Sequence, residues 1–158
     1  MIEAERYSVI PDIQRLHFLF MTKLPTTENA LIIRTDFSDE SAWKSLTAAV
    51  REPVDPFIFN MEILDDRAND GASAEEIVGL LPQDYAHSFI VFADNVAISQ
   101  SDHPLLVVDL LEEPGRHFRA IATEVPSIEN NLSIGNMGFE EFANSVDENG
   151  VFRGFAGM

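Results

Sequence analysis

Apolar residues recur along this chain in two periods, and the places where one gives way to the other mark its elements. Leu31 to Phe37 begins as an apolar strand, and Ser38 stands where an N-cap would open a helix from Asp39 to about Glu52. Within that helix Ala42, Trp43, Leu46, Ala49 and Val50 recur at spacings of three and four. One apolar stripe can therefore lie on a sheet while Lys44 and Arg51 stay in water, and Asp39 and Glu40 suit the positive helix end. Pro53 and Pro56 stop the helix. Phe57 to Leu64 reads as a second strand and Asp65 to Ala72 as a polar loop. Ser73 with Glu76 makes a capping-box pattern for a short helix that turns Ile77, Leu80 and Leu81 inward before Pro82. Ser88 to Ala93 is a third strand, apolar enough to be buried on both faces.

Three strands separated by two helices imply right-handed crossovers and a parallel sheet at the core. The pattern then changes. Leu105 to Leu111 and His117 to Ala122 are strands joined by Glu112-Glu113-Pro114-Gly115, a connection short enough for an antiparallel hairpin. Ser127 to Ile134 and Phe139 to Val146 read as short helices broken around Gly135 and Gly138, and a Phe-containing tail follows that docks as a last strand or turn. The expected fold is a single α/β domain over residues 25–158. Its sheet is mixed and mostly parallel, a βαβαβ core plus a C-terminal hairpin, covered by helices. Residues 1–24 read as an N-terminal extension, in which Ile13, Leu16 and Phe20 stand at helical spacing and Met21 is an alternative start.

Composition narrows the functional classes. A hydrophobic fraction of 46% with 12 Phe in 158 residues supplies a packed core, so disorder is not expected despite the charge. That charge is −17, from 27 Asp and Glu against 10 Lys and Arg, and it is spread over both halves. A surface of this sign repels nucleic-acid phosphates, which are bound by Lys and Arg displacing counterions; it suits basic protein partners, or solubility alone. The absence of Cys removes disulfides, thiolate nucleophiles and Cys-based metal sites, and fits a reducing cytoplasm. The apolar run Leu16 to Met21 is interrupted by His17 and is too short to span a bilayer, so a cytoplasmic protein without a membrane segment is expected.

Three stretches carry a family resemblance: RTDFSDESAW from Arg34, HPLLVVDLLEEPGRHFRAI from His103, and VPSIENNLSIGNMGFEEFANSVDENGVFRGF from Val125. Together they resemble an uncharacterised bacterial domain-of-unknown-function family (DUF6924-like) over about Leu24 to Phe155. The resemblance implies membership and brings no catalytic or binding residues with it.

The candidate chemistry is then read from the residues. Asp36 closes the first strand, Asp65 and Asp66 the second and Asp94 the third. Carboxylates at the carboxyl ends of parallel strands share one sheet edge, where ligands bind in open α/β folds and where Mg²⁺ or Ca²⁺ would find oxygen ligands. The plainer alternative is that these Asp residues cap turns and helices. A second polar cluster, Glu129, Asn130, Asn131 and Asn136, sits among Ile128, Leu132, Ile134 and Met137, and suits either a binding patch or the capping of broken helix ends. Arg34, a cation inside an apolar strand, calls for a carboxylate partner or an exposed edge, as an ion pair or a substrate clamp. His17, His87, His103 and His117 lack metal-ligand spacing, no Gly-rich phosphate loop occurs, and no GxSxG elbow surrounds Ser88, Ser101, Ser127 or Ser133. An acidic protein-binding module fits best, of the inhibitor or immunity type, with no cofactor. The alternatives are a Mg- or Ca-dependent enzyme or sensor at the strand ends, and a scaffold using the patch from Asn130 to Phe142.

Overall fold

The computed structural model describes residues 24–156. Six strands form one sheet in the order β2-β1-β3-β4-β5-β6: β1 Leu31–Arg34, β2 Glu62–Leu64, β3 Phe89–Ala93, β4 Leu105–Asp109, β5 His117–Ala120 and β6 Val151–Phe152. β1 lies parallel to both β2 and β3, β4 runs antiparallel to β3 and β5, and β6 returns parallel to β5. The mixed sheet and the hairpin agree with the sequence pattern. Among the described residues five α-helices accompany it: α1 Glu40–Arg51, α2 Ala74–Val78, α3 Asn95–Ser99, α4 Val125–Ser133 and α5 Phe139–Ala143.

Alternation along the strands divides the core in two. Ile32, Phe89, Val91, Leu105, Val107 and Phe118 face a cluster with Trp43, Leu46 and Val50 of α1 and Phe142 of α5. Leu31, Ile33, Ile90, Phe92 and Val108 face the other, with Leu24, Ala72 and Ile77 of α2. Helices stand on both faces because the chain steps from β1 outward to β2 and then back across β1 to β3. With right-handed crossovers, these opposite steps place α1 and α2 on opposite sides.

Boundaries moved where a polar group had a stronger local role than the strand or helix pattern implied. β1 ends at Arg34 rather than Phe37, and the cap of α1 is Asp39, whose carboxylate accepts from Ala42 N, not Ser38. Ser38 N–H instead donates to Asp36. β2 starts at Glu62 rather than Phe57, because Pro53 and Pro56 offer no N–H and the chain between them and Met61 makes only a Val54–Phe57 bridge. The capping box of Ser73 and Glu76 is formed as the pattern suggests. Helix α3 had no counterpart in the periodicity: five residues are too few to show one. The expected helix at Ile13, Leu16 and Phe20 lies outside the described residues.

The C-terminal tail is held by aromatic packing. Phe142, fully buried, stacks on Phe118 and meets Phe152 and Phe155 at centroid distances of 5.3 and 5.5 Å, and Phe118 meets Phe139 at 5.0 Å. A two-residue edge strand has little ladder of its own, so β6 depends on these rings. Phe142→Ala should lower stability by about 3–5 kcal/mol in urea unfolding, as large-to-small core changes do. Ile58→Ala, at a position 76% exposed, should stay within about 0.5 kcal/mol.

Candidate functional site

The carboxylates expected at the strand ends do not converge. Asp65 accepts from Arg34 Nη1 at 3.2 Å and from the Trp43 indole at 3.1 Å. Asp66 caps the 3-10 turn Arg67–Asn69 by accepting from Ala68 N. Asp94 caps α3 and is gripped by Arg119 through both oxygens, at 2.8 and 2.7 Å. Asp36 accepts from Ser38 N at 2.7 Å. Among the described residues no three His, Asp or Glu side chains are grouped so as to hold a metal ion. Asp36 and Asp94 do share one cleft, while Asp65 and Asp66 lie outside its lining.

Arg34 is a hub of the fold. Its guanidinium, 2% exposed, donates to Asp36 O, Asp65 and Glu40 and lies 4.1 Å from the Phe37 ring centroid and 4.7 Å from that of Trp43. Arg67 lies over Phe37 as well. The planar fork satisfies three acceptors at once, which a Lys ammonium cannot do in the same plane. Hydrogen bonding to Arg34 holds the Glu40 carboxyl below its ordinary range.

The Glu129 cluster lies at the opposite end of the sheet. Asn131 donates to Ser127 O at 2.9 Å and accepts from Asn136 at 2.8 Å, and its carbonyl takes the Asn136 N–H, so these amides close the broken end of α4. The Asn130 carbonyl accepts from Ile134 N. Glu129 is buried with one side-chain partner, the Ser133 hydroxyl at 2.8 Å, and burial pushes its carboxyl up against smaller opposing pulls from that hydrogen bond and from His87. Burial also raises Glu124.

Around this cluster lies a surface that takes in part of the Asn130 to Phe142 patch and joins it to Leu111 and Glu112, which the residue patterns did not single out. Leu111 and Ile134, each 69% exposed, line one groove of about 430 Å³ with Ser88, Leu132 and Gly135. An adjoining groove of about 350 Å³ shares Ser88, Leu111, Leu132 and Gly135 and adds Met137, Glu112 and Glu141. Asp109 builds this edge: fully enclosed, its carboxylate accepts from the N–H groups of Leu111, Glu112 and Glu113, and Gly115 at φ +93° completes the turn. A signal for it exists in the sequence. Leu110 and Leu111 are consecutive at a strand end, and strand alternation turns one of two adjacent apolar residues outward.

His103 and His87 serve packing. His103 is buried and joins two helices, with Nδ1 2.9 Å from Ala97 O and Nε2 3.0 Å from Ser45 Oγ. His87 lies 3.1 Å from Thr27 O and edge-on to Tyr85. His117 is exposed, and His17 lies outside the described residues. Among the described residues no helix is long and apolar enough to cross a membrane.

Two outcomes test these assignments. Arg34→Met should cost about 2–3 kcal/mol in urea unfolding, below the 3–5 typical of a broken buried pair, because Asp65 and Glu40 are half exposed and regain water; Glu40→Gln should cost far less. The second concerns pH. Glu129 and Glu124 both titrate above the ordinary carboxyl range in the folded state, so the folded protein holds these protons more tightly than the unfolded chain, and their effect on stability worsens as pH rises through the raised values. Glu129→Gln, which still accepts from Ser133, should therefore raise Tm at pH 7 by about 2–4 °C and reduce the gain seen on acidification toward pH 5. An unchanged pH profile would contradict the assignment.

Residues 29–155 match the model of a family described as Domain of unknown function (DUF6924), and the chain belongs to that family. No curated protein matches the chain.

Proposed function

We propose that this domain works by binding, that its interface is the apolar surface of Leu111 and Ile134 with its acidic rim, and that its partner is a basic polypeptide. The reading rests above all on one observation: two large apolar side chains, each 69% exposed, share a groove whose neighbour is edged by Glu112 and Glu141. Interfaces of this form bury an apolar centre and use charge at the rim to steer and select. Glu113 and Glu140, exposed next to Glu112 and Glu141 in the chain, add acidic groups, and Arg116 is bonded to Glu113 and Asn144.

An occupant with Lys or Arg around an apolar anchor complements both parts. A field of −17 accelerates capture of such a partner, and rim carboxylates can stand where nucleic-acid phosphates would in a basic active site. That is the logic of an inhibitor or immunity-type protein, and it needs no catalytic group.

The test is salt-graded affinity capture with a paired variant. The parent protein should retain a protein of pI above about 8 at about 50 mM salt and release it by about 500 mM, since screening shortens the reach of surface charge. Leu111→Asn with Ile134→Asn should abolish retention while leaving Tm near the parent value. Retention that is equal in the variant, or indifferent to salt, overturns the proposal.

A further inference from the structure

The other end of the sheet carries an independent feature. Where the chain reverses its direction of travel, between the carboxyl ends of β1 and β3, a cleft of about 590 Å³ opens. The helices that leave both strands, α1 and α3, pack on the same face of the sheet, and the cleft opens at the strand ends against the loop that leads into α2. Phe92, Leu106 and Ala72 give it an apolar floor, and Thr35, Asp36, Asp70 and Asp94 are among its polar lining.

We propose that this cleft binds a small organic cation, an amine or guanidinium compound with an apolar body. Thr35 is the first reason. It is 5% exposed, and its backbone is fully used, the N–H by Ala93 O at 3.0 Å and the carbonyl by Gly71 N at 2.8 Å. Its hydroxyl has no hydrogen-bond partner among the described residues, and strand alternation places the side chain on the face of Ile33 and Phe92, toward the cleft. A hydroxyl on a residue this buried, with no protein partner among the described residues and its access confined to the cleft it lines, is free to meet a ligand polar group there.

Charge selects the ligand. The Asp70 carboxylate has no partner among the described residues, and Asp36 uses one oxygen for Ser38 N. Asp94 is neutralised by Arg119, and no Lys or Arg lines the cleft. Two uncompensated carboxylates repel phosphates and carboxylic acids and attract ammonium or guanidinium groups. Phe37 at the lip and Phe92 in the floor suit an apolar body. Asn69, fully buried in the turn that leads into this wall, also has neither side-chain polar atom paired.

Isothermal titration of the whole protein with tyramine and with agmatine tests the proposal at about 0.1 M salt. Saturable one-site binding of at least one probe is expected. Asp70→Asn should weaken it about 10-fold, as loss of a charge-assisted contact does. Thr35→Val should weaken it severalfold, and Thr35→Ser, which keeps the hydroxyl, should restore it. Leu111→Asn, at the far end of the sheet, should bind as the parent does, which separates this site from the polypeptide surface. Heats that are absent for both probes, or equal in Asp70→Asn, Thr35→Val and the parent, overturn it. Thermal melts of each variant establish that a loss of binding is not a loss of fold.

Discussion

Strands β1 and β3 are buried on both faces, and the rest of the molecule is organised by the need to seal them. Ile32 and Val91 face one helix layer; Leu31, Ile33, Ile90 and Phe92 face the other. A strand of this kind exposes no polar face to water, so its neighbours must include covering helices on both sides as well as strands. The two opposite steps around β1 meet that need. They also leave both ends of the sheet open, one as the cleft beside Thr35 and the other as the edge that presents Leu111.

Acidic residues do two kinds of work here, and separating them changes the meaning of the net charge. Asp39, Asp66, Asp94 and Asp109 accept backbone N–H groups at turns and helix starts, so they are part of the scaffold. Arg34, Arg116, Arg119 and Arg153 are each bonded to acids of the same chain. Cations spent in this way no longer offset Glu112, Glu140 and Glu141 at one end, or Asp36 and Asp70 at the other. Net charge thus reports an excess, while the placement of a few arginines decides where a partner meets it.

Much of the fold could be read from the chain. The βαβαβ core, the hairpin and the capping box rest on periodicity and turn chemistry that act over a few residues. Helix α3 could not be read this way because five residues are too few to show a period, and the early end of β1 could not because the Arg34 guanidinium bonds Asp65, which is distant in sequence. The candidate residues fared differently. Asp36 and Asp94 do line one cleft, whereas Asp65 is drawn off to Arg34 and Trp43 and Asp66 to a 3-10 turn. The polar cluster at Asn131 and Asn136 closes a helix end and lies beside the exposed surface, without lining most of it.

The sequence by itself determined the class of the domain, its acidic character, its lack of cysteine chemistry and the order of its main strands, because each depends on residue types and short-range spacing. Tertiary structure alone decided which acids are paired, that Thr35 lines a cleft with its hydroxyl unpartnered among the described residues, and that Leu111 and Ile134, over twenty residues apart, share one groove. Those outcomes depend on which strand ends are brought together and which side chains reach across, and no local pattern encodes that geometry.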